Sequence, residues 1–319
     1  YKAVVPLGIL LTLLSAGVVL GFGCRLFGPR VAGLAAVVYL VSNVTLSGAI
    51  SGLPLPLLSL AVTLACGFAI RSIQLSAMGE HIPKLLLAVV GSAACVAVAM
   101  LTDYTMVAVA VGVVFLFALQ LQRLRWVSML LFLLVCMVLV GPWLIYNHGR
   151  GVGLLGVRPY TAVSDSALYV GDSLERSVAP ELNSYRVARA IRQKVVASVA
   201  LAFRGREAMA SGIVICFFVL ALVHRYEDPV VTGLKGFMLG VLGLLLLLSP
   251  LVGPGYVVLG ALFLLVVLLG VSAFVDYVDR EEFFEQSLPT VLAWLLIAVS
   301  ALPALAQVVG TNPSAYPPY

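Results

Sequence analysis

Long apolar runs broken by short polar turns fill almost the whole chain. Crossing about 30 Å of hydrocarbon as a helix takes roughly 20 residues, with about 17 workable. By that measure about ten runs are candidate spans: 4–24, 31–50, 53–70, 85–101, 105–121, 127–146, 209–224, 237–251, 256–275 and 288–309. The seventh and eighth are short, and the third opens on an LPLP stretch that proline can make irregular. Helix is the expected state because unpaired backbone polar groups are too costly in lipid. The runs also lack the polar–apolar alternation of a membrane barrel. The pattern predicts an all-α fold, a polytopic transmembrane helix bundle with one long extracytoplasmic loop and an interfacial amphipathic helix. Three regions follow: a transmembrane module over 1–146, an extracytoplasmic segment over 147–207, and transmembrane helices with an outward tail over 208–319.

Composition supports that class. Residues of the AVILMFWYC set make up 62% of the 319, and charged residues only 10%. Soluble domains carry roughly 25% charged residues, so this chain could not cover a soluble surface with polar groups. The net charge of +5 does not point to nucleic acid. Most of the basic residues sit at the ends of apolar runs and not on one soluble face. Membrane lipids are the expected surroundings. Cys24, Cys66, Cys95, Cys136 and Cys216 lie in or beside apolar runs with no CxxC pair. They read as small apolar side chains, without disulfides or zinc. The chain starts at Tyr1 with no signal-peptide pattern, which reads as a piece of a longer polypeptide.

The turns divide by charge. One set carries Arg25 and Arg30, Arg71 and Lys84, Arg123 and Arg125, Arg225 and Lys235, and Arg280. The alternate connections, around Ser51, Thr102 and Gly253, carry no Lys or Arg, and neither does the tail from Gly310. Short cytoplasmic loops collect Lys and Arg. The first set is therefore expected in the cytoplasm, with 147–207 and the C-terminus outside.

Most of the soluble chemistry lies in 147–207. Its first part is rich in Gly and turn formers and is expected to be loop. From about Tyr185 to Phe203 the pattern is amphipathic. Arg186, Arg189, Gln193 and Lys194 fall on one face, and Val187, Ile191, Val195 and Val199 on the other. A helix lying on the outer surface is expected. Its arginines could hold phosphate oxygens in a bidentate fork or simply anchor the helix. Arg150 and Arg158 offer the same choice. Asp103, at an outer edge, could take a cation or an acceptor, but Thr102 and Asp103 also precede a helix start and suit an N-cap. Asp165, Asp172 and Glu175 read as solvated loop carboxylates. His148 lacks a second ligand nearby, so no metal site is expected. His81 and His224 read as boundary residues. The acidic DREEFFEQS run from Asp279 is a solvated loop or a docking surface for another subunit. The spans hold essentially no charge, which argues against an ion pump or proton-coupled transporter.

Four stretches, in order, carry a family likeness: CRLFGPRVAGLAAVVYLVS from Cys24, SGLPLPLLSLAVTLA from Ser51, MLTDYT from Met100 and VGPWLIYNHGRGVG from Val140. This set resembles the GT-C superfamily of multi-span glycosyltransferases, nearest its bacterial branch resembling protein O-mannosyltransferases and the lipid A aminoarabinose transferase. The resemblance implies a bacterial inner-membrane enzyme that moves a sugar from a polyprenyl-phosphate donor to an acceptor at the outer face. It implies an acidic residue acting on the acceptor, and a divalent cation or basic side chains on the leaving phosphate. On that view Arg150, Arg158, Arg186 and Arg189 are the donor-phosphate candidates and Asp103 the acceptor or cation candidate. The chain departs from the family where chemistry is expected. The loop that carries the family's catalytic acid is absent, Leu55 stands before Pro56 where an acid is frequent, and Asp103 replaces a basic residue. The alternative is a non-catalytic subunit of this architecture among membrane-protein partners.

Overall fold

In the computed structural model, the described residues of each of the ten apolar runs are mostly helical. The structure describes residues 4–50, 54–79, 82–149, 188, 192–193, 196, 212–226, 228–248, 256–280 and 288–310, and no strand occurs among them. The helices are α1 (Val4–Phe27), α2 (Pro29–Val41), α3 (Asn43–Ile50), α4 (Leu55–Met78), α5 (Ile82–Thr102), α6 (Val107–Gln120), α7 (Arg125–Gly149), α8 (Gly212–Val223), α9 (Pro229–Leu248), α10 (Tyr256–Arg280) and α11 (Leu288–Gly310). A short 3-10 turn over Tyr104–Met106 leads into α6. Among the described residues five helices, α1, α4, α5, α7 and α10, are long and apolar enough to cross a membrane, or six crossings if the bent α2–α3 pair counts as one. The multi-pass membrane class follows from these helices.

The run 31–50, read above as one span, is broken. α2 and α3 meet at 55°. Ser42 is extended, its hydroxyl donates to the Tyr39 carbonyl at 2.7 Å, and it bonds the Thr45 hydroxyl at 2.8 Å. Ser42 ends α2, its hydroxyl ties the last turn of α2 to Thr45 in α3, and the backbone turns where it could have run straight. The LPLP stretch, in contrast, starts α4 cleanly. Leu55 and Pro56 fall in its first turn, where a missing N–H costs nothing.

The chain divides into two compact units. The first comprises Tyr1–Thr63, Leu201–Arg225 and Gly260–Tyr319. Here α1 runs antiparallel to the α2–α3 arm: Gly8 lies against Ala49, and Gly23 against Ala32. The reversal uses Gly28, whose φ of 87° suits glycine, followed by Pro29 at the start of α2. Leu55 fills a socket made by two glycines, Gly48 and Gly260. Arg25, Arg30 and the C-terminal part of α10 share one end of this unit, since Gly23 also meets Leu268. At the foot of α8, His224 Nε2 stands 3.0 Å from Asp276 Oδ2. His224, read above as an ordinary boundary residue, is thus a partner of α10.

The second unit comprises Leu64–Ala200 and Tyr226–Leu259. α5 presents Ala88, Ser92, Ala93, Val96 and Ala97 as a buried small-residue face, which lets helices approach closely. On that face Ser92 donates to the Ala65 carbonyl at 2.9 Å and Cys136 to the Ala93 carbonyl at 3.6 Å. α9 lies antiparallel to α6: Gly233 meets Gln120, while Gly112 meets Phe237 and Val241. This places Lys235 at the same end as Arg123 and Arg125. Lys84 joins them there, because the α4–α5 and α6–α7 turns line one cavity. At the opposite end, residues 99–107, 140–149 and 241–248 carry no Lys or Arg.

α7 carries an exposed apolar band flanked by aromatic residues. Leu130, Leu134, Met137 and Val138 are exposed along it. Trp126 flanks this stretch at the basic end, with the Arg125 guanidinium 5.4 Å from its ring. Trp143 and Tyr146 flank it at the other, stacked with centroids 5.7 Å apart. Trp126 and Trp143 are seventeen residues apart, about 26 Å along a helix, close to the thickness of the hydrocarbon core between its two aromatic belts.

Candidate functional site

The basic-poor end of the second unit gathers the polar residues of two of the family-like stretches. Asp103, in the turn between α5 and α6, is only 7% exposed. Its Oδ1 accepts from the Thr105 backbone N–H at 3.0 Å and from the Thr105 hydroxyl at 2.8 Å. The carboxylate thus caps the 3-10 turn and satisfies a buried donor pair. Thr102, the other capping candidate, turns its hydroxyl back to the Val98 carbonyl at 2.8 Å. Of the two readings open for Asp103, capping is the one its geometry displays.

The next residue builds a contact that sequence reasoning missed. The Tyr104 hydroxyl accepts from Asn147 Nδ2 at 2.9 Å and from Trp143 Nε1. With two donors on its oxygen, the phenol keeps its own O–H to give. The MLTDYT turn is thereby tied to the PWLIYN exit of α7, at the point where the chain enters the long hydrophilic segment. The aromatic and amide residues were visible in both motifs, but nothing local pairs positions 39 and 43 residues apart.

Position 55 is settled by packing. Leu55 is buried, and its methyl groups come within 2.7 Å of where a Cβ on Gly48 or on Gly260 would stand. A carboxylate in that socket would lie against glycine backbone and apolar side chains, an unfavourable place for charge. The hydroxyls nearest to it are already engaged, with Tyr39 and Ser59 3.2 Å apart.

Arg150, Arg158, Arg186 and Arg189 lie outside the described residues. Of the amphipathic stretch 185–203, residues 188, 192, 193 and 196 are described, and all four are helical and exposed. Among the described residues, no group of three or more His, Cys, Asp or Glu side chains that could hold a metal ion occurs. Scans against protein-family models, curated proteins and solved structures return no match to the chain.

The cap makes a prediction. Asp103→Ala strands both Thr105 donors and is expected to cost about 1–3 kcal/mol. Asp103→Asn, which caps as well as aspartate, should stay within about 0.5 kcal/mol of the parent. Thermal unfolding in detergent measures both. An Asn variant with parental stability but no catalytic turnover would show that the carboxylate does chemistry beyond the cap.

Proposed function

We propose that the chain is the membrane part of a GT-C-type glycosyltransferase, moving a sugar from a polyprenyl-phosphate donor to an acceptor at the outer face of a bacterial inner membrane. The carrying observation is the Tyr104 contact, which joins the MLTDYT and PWLIYN stretches, two of the four that resemble the family. On this reading each of the ten apolar runs crosses the bilayer, the arginine-bearing turns face the cytoplasm, and 147–207 and the tail face outward. The acceptor oxygen attacks the anomeric carbon and passes its proton to a carboxylate. The carbon–oxygen bond to phosphate breaks, and polyprenyl phosphate leaves as the anion. Arg150, Arg158, Arg186 and Arg189 are the side chains assigned to that phosphate. Asp103 caps the 3-10 turn through Oδ1, and it is the acceptor candidate that the Asp103→Asn variant tests.

A second reading, a non-catalytic subunit, is favoured by one feature. Among the described residues Asp103 is the one carboxylate at that end of the unit, and it is engaged with Thr105. Purified full-length protein incubated with labelled polyprenyl-phosphate sugars separates the two. Transfer reads out as release of polyprenyl phosphate with loss of label from the lipid. Turnover of no donor, in a protein that co-purifies with stable partners, would establish the subunit reading.

A further inference from the structure

A cavity of about 990 Å³ opens at the basic end of the second unit, between the α4–α5 and α6–α7 connections. Its wall is mixed. Arg123 and Lys84 contribute two cations, while Ile82, Leu85 and Leu124 contribute apolar surface. The first turn of α5 lines it as well, and the N–H groups there lack intrahelical acceptors and favour anions.

Arg123 is held in place by its backbone. Its N–H donates to Ser76 Oγ at 3.0 Å. The next residue, Leu124, adopts φ 53°, a left-handed conformation that leucine rarely takes. Such a backbone persists only where its surroundings enforce it, and ligand clamps are one place where this happens. The result sets the guanidinium beside Gly79, where even a Cβ would stand 3.5 Å from Nη1. That guanidinium has no hydrogen-bond or ion-pair partner among the described residues. Trp126, two residues after Leu124, marks this level as the membrane–water interface.

We propose that the cavity binds the phosphodiester of an anionic phospholipid, with Arg123 and Lys84 on the phosphate oxygens. Ile82, Leu85 and Leu124 then cover the glycerol and the first acyl carbons. A free phosphate ester shares the phosphate chemistry but makes no use of that apolar wall, so the lipid is the assigned occupant. The site is independent of the transfer reading and lies at the opposite end of the unit from Tyr104.

Titration of the detergent-solubilised full chain, followed by its unfolding temperature, tests the assignment. Dioleoyl phosphatidylglycerol should raise that temperature saturably, and dioleoyl phosphatidylcholine should not. Arg123→Gln with Lys84→Gln should weaken the apparent affinity about thirtyfold. Arg25→Gln with Arg30→Gln, which removes as much charge from the first unit, should leave it unchanged. If glycerol 3-phosphate reproduces the shift at equal concentration, the lipid assignment is overturned in favour of a soluble phosphate ester. Equal titration of parent and Arg123/Lys84 variant overturns the site itself. Should that variant fail to fold, Arg123→Gln alone must weaken the apparent affinity about fivefold.

Discussion

Gly8→Ala is expected to lower the stability of the detergent-solubilised protein by about 2 kcal/mol, and Gly17→Ala on the same helix to leave it unchanged or raise it. A Cβ on Gly8 would stand 2.4 Å from the carbonyl oxygen of Ala49 and 3.2 Å from its carbonyl carbon. The obstacle is backbone, so no rotamer change relieves it, and α1 must move away from α3. Overpacking of that kind costs about 1–3 kcal/mol. Gly17 meets nothing within 4 Å, and alanine there gains up to about 1 kcal/mol in helix propensity. The opposite signs remove the usual ambiguity of a single substitution. Calorimetry of the two variants in one detergent gives the comparison, and equal destabilisation would show that the α1–α3 contact is not as close as described.

Leu134→Arg is expected to have the larger effect, about 2.5–3.5 kcal/mol against insertion of α7. Leu134 is 61% exposed and lies midway between Trp126 and Trp143. On a water-facing surface such a change would be worth no more than about 0.5 kcal/mol. In the hydrocarbon centre the guanidinium has neither water nor a partner. The insertion equilibrium of α7, scored by glycosylation tags in a translocation assay, should fall about 100-fold. Gln122→Arg, at the basic end, should leave it untouched. Equal insertion of the Leu134 variant and the parent would remove α7 from the lipid.

The helices were legible because hydropathy is additive along a run, and five of them, or six with the bent pair, are long and apolar enough to cross a membrane among the described residues. The α2–α3 break was not read. An apolar window averages over Ser42, although Ser-Asn-Val-Thr is a capping pattern and was the available signal. The Asp103 cap was readable for the same local reason: Thr-Asp directly precedes a helix. The Tyr104 contact with Trp143 and Asn147 and the pairing of His224 with Asp276 join residues far apart in sequence, and no periodicity reports them. Leu55 shows a third kind of limit. The fit of a leucine at this position is seen only once Gly48 and Gly260 form its socket. The cavity at Arg123 depends on the left-handed Leu124, a conformation that leucine does not announce.

Sidedness supports the whole account, and substituted-cysteine labelling of intact cells tests it most directly. The background is a variant whose five native cysteines are replaced by alanine. His148→Cys stands at the Tyr104 end of α7, and Gln122→Cys at the basic end. A membrane-impermeant maleimide should modify His148→Cys in intact cells and reach Gln122→Cys only after lysis. Labelling of Gln122→Cys in intact cells, with His148→Cys silent until lysis, would contradict the account.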